Sequence, residues 1–484
     1  MIINRIKFVL PLLFYAISFN ALSQSSEDAI RNAQSNPSGT AKYMALGGAF
    51  TSLGGDASGI RVNPAGIAVY NASELTLTPD LSFFNIDSKF NNTQSSAKDS
   101  KFSLGNFGLV GYYERQKDDG WINVNFGLNF QHNYSNYQTT SINGHNPYGS
   151  LLSVLKRNSD GYFPDGLDLI SGLAFSTYLL DTSSSNQYFT QIGGGGSKIS
   201  RKQVTSGFSN ETGFSVGGNY KNRLYIGATV AFMKNRYGYV TNLEERPFYQ
   251  DSSAYDLDYY NYREEEATES TNSFNLKLGA IYKINEYLRV GASYHSPTIF
   301  SFTSTWNYSF DANYNSSLGN LSIESDVNLF EYKLITPAKL NLGVSALFGK
   351  RGLFTFDIEH VNYSKTRYRS NSFYDFAFEN NELKSIYQST FNIRIGAEGK
   401  INDNWTLRAG YNQNGNPLKG GLSNIIQQNY SFGFGLRFSK YFIDGAYVLG
   451  KSKFLTYAYS PDYIDAAEMT KTTNSFLFTF GYRF

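Results

Sequence analysis

The chain has 484 residues and a formal net charge of +2, so it carries no electrostatic signal for nucleic-acid binding. It contains no cysteine, which excludes disulfides, thiolate metal sites, cysteine nucleophiles and a lipoprotein anchor. The composition is rich in aromatic residues, with 38 Tyr and 39 Phe against 3 Trp, and includes 44 Gly. This mixture is typical of a lipid-facing barrel, in which aromatic girdles lie at both membrane interfaces and glycines relieve crowding on the inner wall.

The first residues, 1–23, have the features of a signal peptide. Arg5 and Lys7 form a basic start, an apolar run follows over 8–19, and Ala21-Leu22-Ser23 has the small-x-small form of a cleavage site. The apolar run of about 12 residues is too short to span a bilayer. We therefore expect an exported protein whose mature chain begins at residue 24.

A glycine-rich segment follows, which we assign as an N-terminal hatch over residues 24–72. It contains Gly47 and Gly48, and later Asn63-Pro64-Ala65-Gly66, whose residue types favour a tight turn. The segment has too few large apolar side chains to build a core of its own. We expect the remainder of the chain to enclose it.

From residue 73 to 484, apolar and polar residues alternate with the period of a β-strand. The last strand is the clearest example, because one parity carries only aromatic residues: Phe476, Phe478, Phe480, Tyr482 and Phe484. A soluble β-sandwich also alternates, but here the other face carries Arg, Asn and Gly, and short turns alternate with long polar loops. The pattern predicts an all-β fold: a transmembrane antiparallel β-barrel of about 14 strands.

Three inserts interrupt the alternation, and we expect them to project as long extracellular loops. The longest spans 135–205, with helices predicted near 151–157 and 167–180. The others are a tyrosine- and acid-rich segment at 249–269 and a shorter one at 311–320.

Several short motifs, taken in order, resemble the FadL/TodX family of outer-membrane transporters for long-chain fatty acids and other hydrophobic compounds. The resemblance covers nearly the whole mature chain, although the insert at 135–205 departs from it. The matching motifs are Ala41–Met44, Gly47–Phe50, Asp56–Ser58, Asn63–Gly66, Tyr294–Pro297, Pro337, Asn402–Tyr411 and Gly481–Phe484.

The resemblance implies a 14-strand barrel in the outer membrane of a Gram-negative bacterium, plugged by the hatch. It also implies passive uptake: a ligand is captured outside, passes into an apolar pocket and leaves sideways through a gap where the third strand kinks. The third strand spans 121–134, and Gly127 is its only internal glycine, so we predict the kink there. A small residue that relieves crowding is the alternative.

The resemblance also suggests site residues. Asn63, Pro64, Ala65 and Gly66 are expected to face the lateral gap, or else to form a plain turn, and Gly47, Gly48 and Asp56 to pack the hatch. The strand alternation itself, independently of the resemblance, places charged residues on the lumen side, where they either meet a ligand carboxylate or pair with one another and hold the plug. They are Arg289, Arg394, Glu398, Arg408 and Arg437.

The sequence gives no support for an enzyme, a cofactor or a metal. Its 4 histidines fall in no metal-ligand spacing, and no motif surrounds one of them with a nucleophile. A surface adhesion or structural barrel, and a passive haem channel, remain alternatives. We expect as partners a hydrophobic small molecule, outer-membrane lipid and lipopolysaccharide, and the barrel-assembly machinery through C-terminal Phe484. We expect a monomer with no nucleic-acid partner.

Overall fold

A computed structural model describes most of the chain. It covers residues 26–34, 36–115, 119–135, 137–184, 186–193, 196–249, 255–349, 351–370, 374–420 and 426–484. The predicted signal peptide, residues 1–23, lies outside the described residues. Among the described helices, none combines the length and the apolar character needed to cross a membrane.

The fold consists mostly of strands. The first are β1 (Glu74–Phe90), β2 (Thr93–Glu114), β3 (Trp121–Ser135), β4 (Gln138–Asn146), β5 (Leu180–Ser184), β6 (Gln187–Thr190) and β7 (Ser197–Tyr220). Next come β8 (Leu224–Pro247), β9 (Leu257–Lys283), β10 (Leu288–His295), β11 (Ile299–Tyr314), β12 (Asn320–Glu324), β13 (Asn328–Ile335) and β14 (Lys339–Leu347). The last are β15 (Gly352–Asn362), β16 (Arg367–Arg369), β17 (Ser389–Lys400), β18 (Trp405–Asn414), β19 (Ile426–Phe438), β20 (Tyr441–Thr456) and β21 (Ala467–Arg483).

Several wall strands are broken into consecutive pieces. β3 continues as β4, β10 as β11, β15 as β16, and β12, β13 and β14 succeed one another. Pro297 and Pro337 lie at two of these breaks, where a residue without an N–H cannot continue the ladder. With each broken strand counted once, the described wall has 14 antiparallel strands.

The wall closes on itself because β1 pairs with β21, from Glu74 opposite Arg483 to Lys89 opposite Glu468. This closure confirms the predicted transmembrane β-barrel. The predicted parity is also correct. Phe432 on β19 is 59% exposed toward lipid, whereas its neighbour Ser431 is 1% exposed and faces the lumen.

The helices belong to the hatch and to the loops. They are α1 (Ser26–Ala33), α2 (Ala41–Ala45), α3 (Gly59–Val62), α4 (Leu151–Ser159), α5 (Leu169–Ser176) and α6 (Ala377–Ile386), with 3-10 turns at Pro64–Val69, Pro164–Gly166 and Tyr363–Lys365. The hatch lies inside the lumen, since its backbone bonds reach distant wall strands. Ala41 N–H donates to Thr479 on β21 at 2.7 Å, and Thr51 N–H donates to Asp357 on β15 at 2.7 Å.

The wall extends further outward than the sequence alternation predicts. The segment expected to be a loop at 249–269 is strand from Leu257 onward, and the insert at 135–205 contains β4 and the start of β7 at Ser197. Above the membrane both faces of a strand are polar, so the alternation that marks the lipid belt disappears while the ladder continues.

Helices α4 and α5 pack over the outer end of the wall. Leu152 and Leu173 join Tyr260 and Phe310 of β9 and β11 in one buried cluster. Below them, the buried carboxylate of Glu245 accepts the Leu151 N–H at 2.9 Å and the Tyr459 hydroxyl at 2.9 Å. Burial, and then the nearby Glu245, raise the pKa of Tyr459, so it remains a neutral donor.

Candidate lateral window and lumen chamber

Asp56 fastens the two halves of the hatch together. Its carboxylate accepts the Thr40 hydroxyl at 2.8 Å and the N–H groups of Ser58 at 2.9 Å and Gly59 at 3.1 Å. Thr40 in turn caps α2 by accepting the Tyr43 N–H at 3.1 Å. One carboxylate thus fixes the start of α2 against the start of α3.

Gly47 lies close against the wall. Its φ is +64°, and a Cβ there would lie 2.7 Å from the carbonyl oxygens of both Ile395 and Tyr411. Gly48, with φ of +77°, continues the same left-handed turn. A larger residue at Gly47 would force the hatch away from β17 and β18.

The Asn-Pro-Ala-Gly motif is fixed by an asparagine amide. Asn63 Oδ1 accepts the Ala65 N–H at 3.0 Å, which closes the turn. Its Nδ2 donates to three backbone oxygens: Thr51 at 2.6 Å, Ala280 at 3.1 Å and Ala292 at 3.3 Å. Ala280 and Ala292 face each other across β9 and β10, so the motif is bound to that part of the wall.

The sequence analysis expects the motif to face a lateral gap beside the third strand. The motif does not lie there. The Pro64 backbone lies against Gly227 of β8, which is separated from β3 by β7. Ile67, in the following 3-10 turn, reaches the third strand and contacts Gly127. Tight packing requires a wall with glycines, and β8, β9 and β10 supply Gly227, Gly279 and Gly291.

Gly127 does not break the third strand. It pairs with Val110 of β2 on one side and with Ser215 of β7 on the other, and the register does not shift at either pair. The irregularities of β3 in the β7 ladder lie near its ends, at Trp121–Asn123 and at His132–Tyr134.

The predicted lumen charges are paired with one another or with the hatch. Arg408 donates to Glu398 at 2.7 Å and to Asp444 at 2.6 Å. Arg437 joins the same Asp444 at 3.2 Å. The four side chains form one network that crosses β17 to β20.

The remaining two arginines are also engaged. Arg394 lies 3.3 Å from Glu359 in a buried ion pair on β17 and β15. Arg289 donates to the Leu53 carbonyl of the hatch at 3.2 Å. Phe484 is 58% exposed and its backbone pairs with Ser73, while its recognition by the assembly machinery stays a prediction.

A seam opens in the wall beside the third strand. The β2–β3 ladder runs from Glu114 to Asn106, which pairs with Gln131. Above Asn106, β2 has no ladder partner on this side among the described residues. At the same height β2 bulges at Gly105, opposite Thr78 and Pro79 of β1.

Side chains bridge the seam again further out. Thr139 N–H, on β4, donates to Asp99 of β2 at 2.7 Å. Asn143 donates to Ser95 at 2.9 Å. Between these bridges and Asn106 lies an unpaired stretch of β2 on the order of 20 Å long, which we call the window.

The window lies at the outer edge of the apolar belt. On its β2 rim, Phe102 is 69% exposed and Leu104 is 42% exposed, and both point to lipid. The next residues of the same parity, Ser100 and Lys98, are polar. The unpaired stretch of β2 therefore begins beside apolar, lipid-facing residues and ends among polar ones.

A cavity of about 220 Å³, which we call the chamber, lies directly behind the window. Lys101, Ser103, His132 and Asn133 line both the cavity and the window. The lining also includes Asn36, Pro37, Ser38, Met44, Asp80, Ser82, Phe84, Gln427, Asn429, Val448, Gly450, Lys451, Ser452, Lys471, Thr473 and Ser475. Most of these residues are polar or charged, but Pro37, Met44, Phe84 and Val448 add apolar surface, so the lining is mixed and not the apolar pocket that the resemblance implies.

Lys471 is the cation placed deepest in the chamber wall. Its ammonium donates to Gln138 at 2.6 Å and lies 5.1 Å from the centre of the Phe84 ring. Lys101 lines the chamber from β2, on the other side of β1, and the Asp80 carboxylate accepts the Ser82 hydroxyl at 2.8 Å.

A second cavity of about 70 Å³ adjoins the chamber, and Asn36 and Asn133 line both. Its charged lining has more cations than carboxylates: Arg61, Lys277, Lys339 and Arg394 against Glu211 and Glu359. The lumen next to the window is therefore polar and cationic.

Sequence reasoning missed the residues that define the window, namely Asn106, Gln131 and Lys471. A signal was available in the third strand, where carboxamides occupy nearly every lumen position: Asn123, Asn125, Asn129, Gln131 and Asn133. Several of them hold the hatch. Asn125 donates to the Ile67 carbonyl at 2.8 Å, and Asn129 donates to the Ala57 carbonyl at 2.9 Å.

A closed wall with a lipid-facing outer surface, a polar inner face and a hatch in the lumen defines an outer-membrane β-barrel channel. Solved structures share this fold. A FadL homologue of Pseudomonas aeruginosa is 14% identical, with 93% of this chain and 99% of that chain covered and a TM-score of 0.56. The toluene transporter TodX of Pseudomonas putida is 14% identical, with 93% and 100% covered and a TM-score of 0.53.

The toluene transporter TbuX of Ralstonia pickettii is likewise 14% identical, with 94% and 100% covered and a TM-score of 0.51. No curated protein matches the chain in sequence. The sequence pattern of the outer membrane protein transport protein family (OMPP1/FadL/TodX) matches residues 174–426, and the chain belongs to this family. It is an outer-membrane channel of a Gram-negative bacterium that transports hydrophobic compounds.

Proposed function

We propose that this channel takes up long-chain fatty acids passively and releases them sideways into the outer membrane through the window. The observation that carries the proposal is the chamber, because residues of the chamber wall, Ser103 and Asn133, are also residues of the window. The chamber therefore borders the unpaired stretch of β2.

The polarity of the chamber favours a carboxylate-bearing cargo over a hydrocarbon. An aromatic hydrocarbon such as the toluene carried by TodX and TbuX has no group to bond to Lys471, Lys101 or the chamber hydroxyls. A fatty acid offers a carboxylate, and hydrogen bonds to charged groups are the stronger ones. The cation excess of the adjoining cavity acts in the same direction.

The size of the chamber favours a cargo whose head alone is held inside. A volume of about 220 Å³ is below the roughly 300–1,000 Å³ that encloses a drug-sized molecule. An acyl tail therefore extends through the window past Phe102 and Leu104, where each methylene gains about 0.8 kcal/mol on leaving water.

The same volume disfavours haem, whose rigid macrocycle needs the larger cavity. A surface adhesion barrel needs neither a hatch nor a chamber. For that role the buried network around Asp56 and the close approach of Gly47 would have no purpose.

The proposal is tested by uptake into cells that lack their own transporter, with surface levels of the channel measured in parallel. Labelled palmitate, its methyl ester, toluene and haem are compared. We expect uptake of palmitate above that of the other three. Equal or better uptake of toluene or haem would contradict the fatty-acid assignment, and absence of all uptake by a correctly assembled channel would favour the adhesion role.

A further inference from the structure

Two side-chain amides stand where the β2–β3 ladder stops. Gln131 Nε2 donates to the Gly105 carbonyl at 2.8 Å. Asn106 Nδ2 donates to the Phe130 carbonyl at 3.0 Å and to Gln131 Oε1 at 3.1 Å. Both side chains are fully buried.

The two strands diverge immediately above these amides. β2 has its extra residue at Gly105, which is skipped in the β1 ladder. β3 has an extra residue at Asn133, which is skipped in the β7 ladder. A bulge bends its strand and leaves one residue unpaired, so bulges in neighbouring strands at one height turn the strands apart.

The backbone oxygens at the end of a ladder need donors. A carbonyl left without a donor in a membrane wall is costly, because lipid supplies no hydrogen. The Gln131 amide satisfies the Gly105 carbonyl while the window is open, and Asn106 holds that amide in place by donating to Gln131 Oε1. Phe130 itself lies within both ladders of β3, opposite Phe107 and Thr212. Without the amide, the least costly partner for the Gly105 carbonyl is the facing backbone, which requires the ladder to extend.

We propose that Asn106 and Gln131 are positioning residues that cap the end of the β2–β3 ladder and so hold the window open. They touch no cargo in this arrangement. Removing either donor shifts the seam toward a zipped state in which backbone pairs with backbone above Asn106. The importance of this device for transport rests on the proposed lateral release, but its effect on the seam is measurable without cargo.

The experiment uses the absence of cysteine in the natural chain. A reporter cysteine is introduced as Ser103→Cys, behind the window, and the full-length protein is reconstituted in vesicles. A lipid-soluble pyrene maleimide is supplied from the membrane and the labelling rate is measured. Gln131→Met, which keeps the length of the side chain without its donor, and Asn106→Ala are compared in this background.

The control is Asn129→Leu, which removes the next lumen carboxamide of β3. That amide bonds the hatch and not the seam. We expect Gln131→Met and Asn106→Ala each to lower the labelling rate about tenfold. The loss of one such hydrogen bond changes an opening equilibrium by about this factor. Asn129→Leu should leave the rate near that of the reporter alone.

Assembly is confirmed for every variant by heat-modifiable mobility in gels. If only one of the two cap variants assembles, that variant decides the outcome. If neither assembles, Asn106→Leu, an apolar side chain of similar volume without a donor, decides it under the same conditions. Three results would overturn the inference. The first is an unchanged labelling rate in the assembled cap variant, and the second is an equal fall in Asn129→Leu. The third is a reporter cysteine that the lipid-soluble reagent never reaches. Labelling that behaves as expected in a channel that carries no palmitate would instead overturn the proposed function and leave the cap intact.

Discussion

Ile67 of the hatch packs directly over Gly127 of the third wall strand, where a Cβ would lie 2.7 Å from the Ile67 Cδ1. Both ladders of β3 keep their register through this glycine. Gly127 thus makes room for the plug, whereas the seam begins above it, at Asn106 and Gln131.

Replacing Gly127 by valine should loosen the hatch and leave the barrel intact. The added methyls displace Ile67, while the wall keeps its backbone bonds. We expect faster hydrogen exchange in the 3-10 turn Pro64–Val69, with unchanged heat-modifiable mobility. Gly399→Val is the matched control, because nothing lies within 4 Å of a Cβ at that glycine. Similar exchange in the two variants would contradict the contact.

The lipid face is tested by Phe434→Arg, near the middle of the outward row on β19. A charge at this depth should cost about 2–4 kcal/mol of unfolding free energy, whereas the same charge near an interface costs roughly 0–1 kcal/mol. Tyr441→Arg, at the periplasmic end of β20, is the interfacial control. Unfolding in urea with lipid vesicles measures both, and equal losses would mean that the belt is misplaced.

The lumen network around Arg408 is expected to serve stability. Arg408→Met leaves Asp444, which is 1% exposed, beside only the half-exposed Arg437. Breaking a buried pair in this way costs about 3–5 kcal/mol. Adding Asp444→Asn should restore part of the loss, because the amide buries no charge. A fall in palmitate uptake at unchanged stability would assign Arg408 to the cargo instead.

Lys471 should set the preference for an acid over an ester. Lys471→Met removes a charged donor from the chamber, and we expect palmitate uptake to fall about tenfold while uptake of the methyl ester is unchanged. Lys453→Met removes the same charge from an exposed position on β20 and should alter neither. An equal loss for acid and ester would show that Lys471 supports the structure alone.

The lipid belt could be predicted from sequence because burial there follows one simple rule. Outward residues such as Phe432 and Phe478 must be apolar, so alternation reveals both the strand and its face. Outside the belt the rule lapses. Glu264 and Glu266 lie in β9 and accept the Tyr239 hydroxyl at 2.8 and 3.0 Å, although their composition is that of a loop.

The window could not be predicted because it depends on where backbone pairing between two strands stops. Whether Gly105 pairs or bulges is decided by its neighbours Thr78 and Pro79 on another strand. The hatch motif was misplaced for a similar reason, since Asn63 bonds to Ala280 and Ala292, more than two hundred residues away in the chain. Residue types indicated a turn, but only the closed ring decides which strands the turn faces.

Lateral release through the window is the central claim, and closing the window reversibly tests it most directly. Ser103→Cys and Asn133→Cys, from the two sides of the window, are joined by a short bis-thiosulfonate linker that a reductant removes. The same linker between Asn412→Cys and Asn429→Cys, which face each other in the continuous β18–β19 ladder, is the control. We predict that palmitate uptake falls to background when the window is linked, returns on reduction, and persists in the linked control. Normal uptake through a fully linked window would contradict the account.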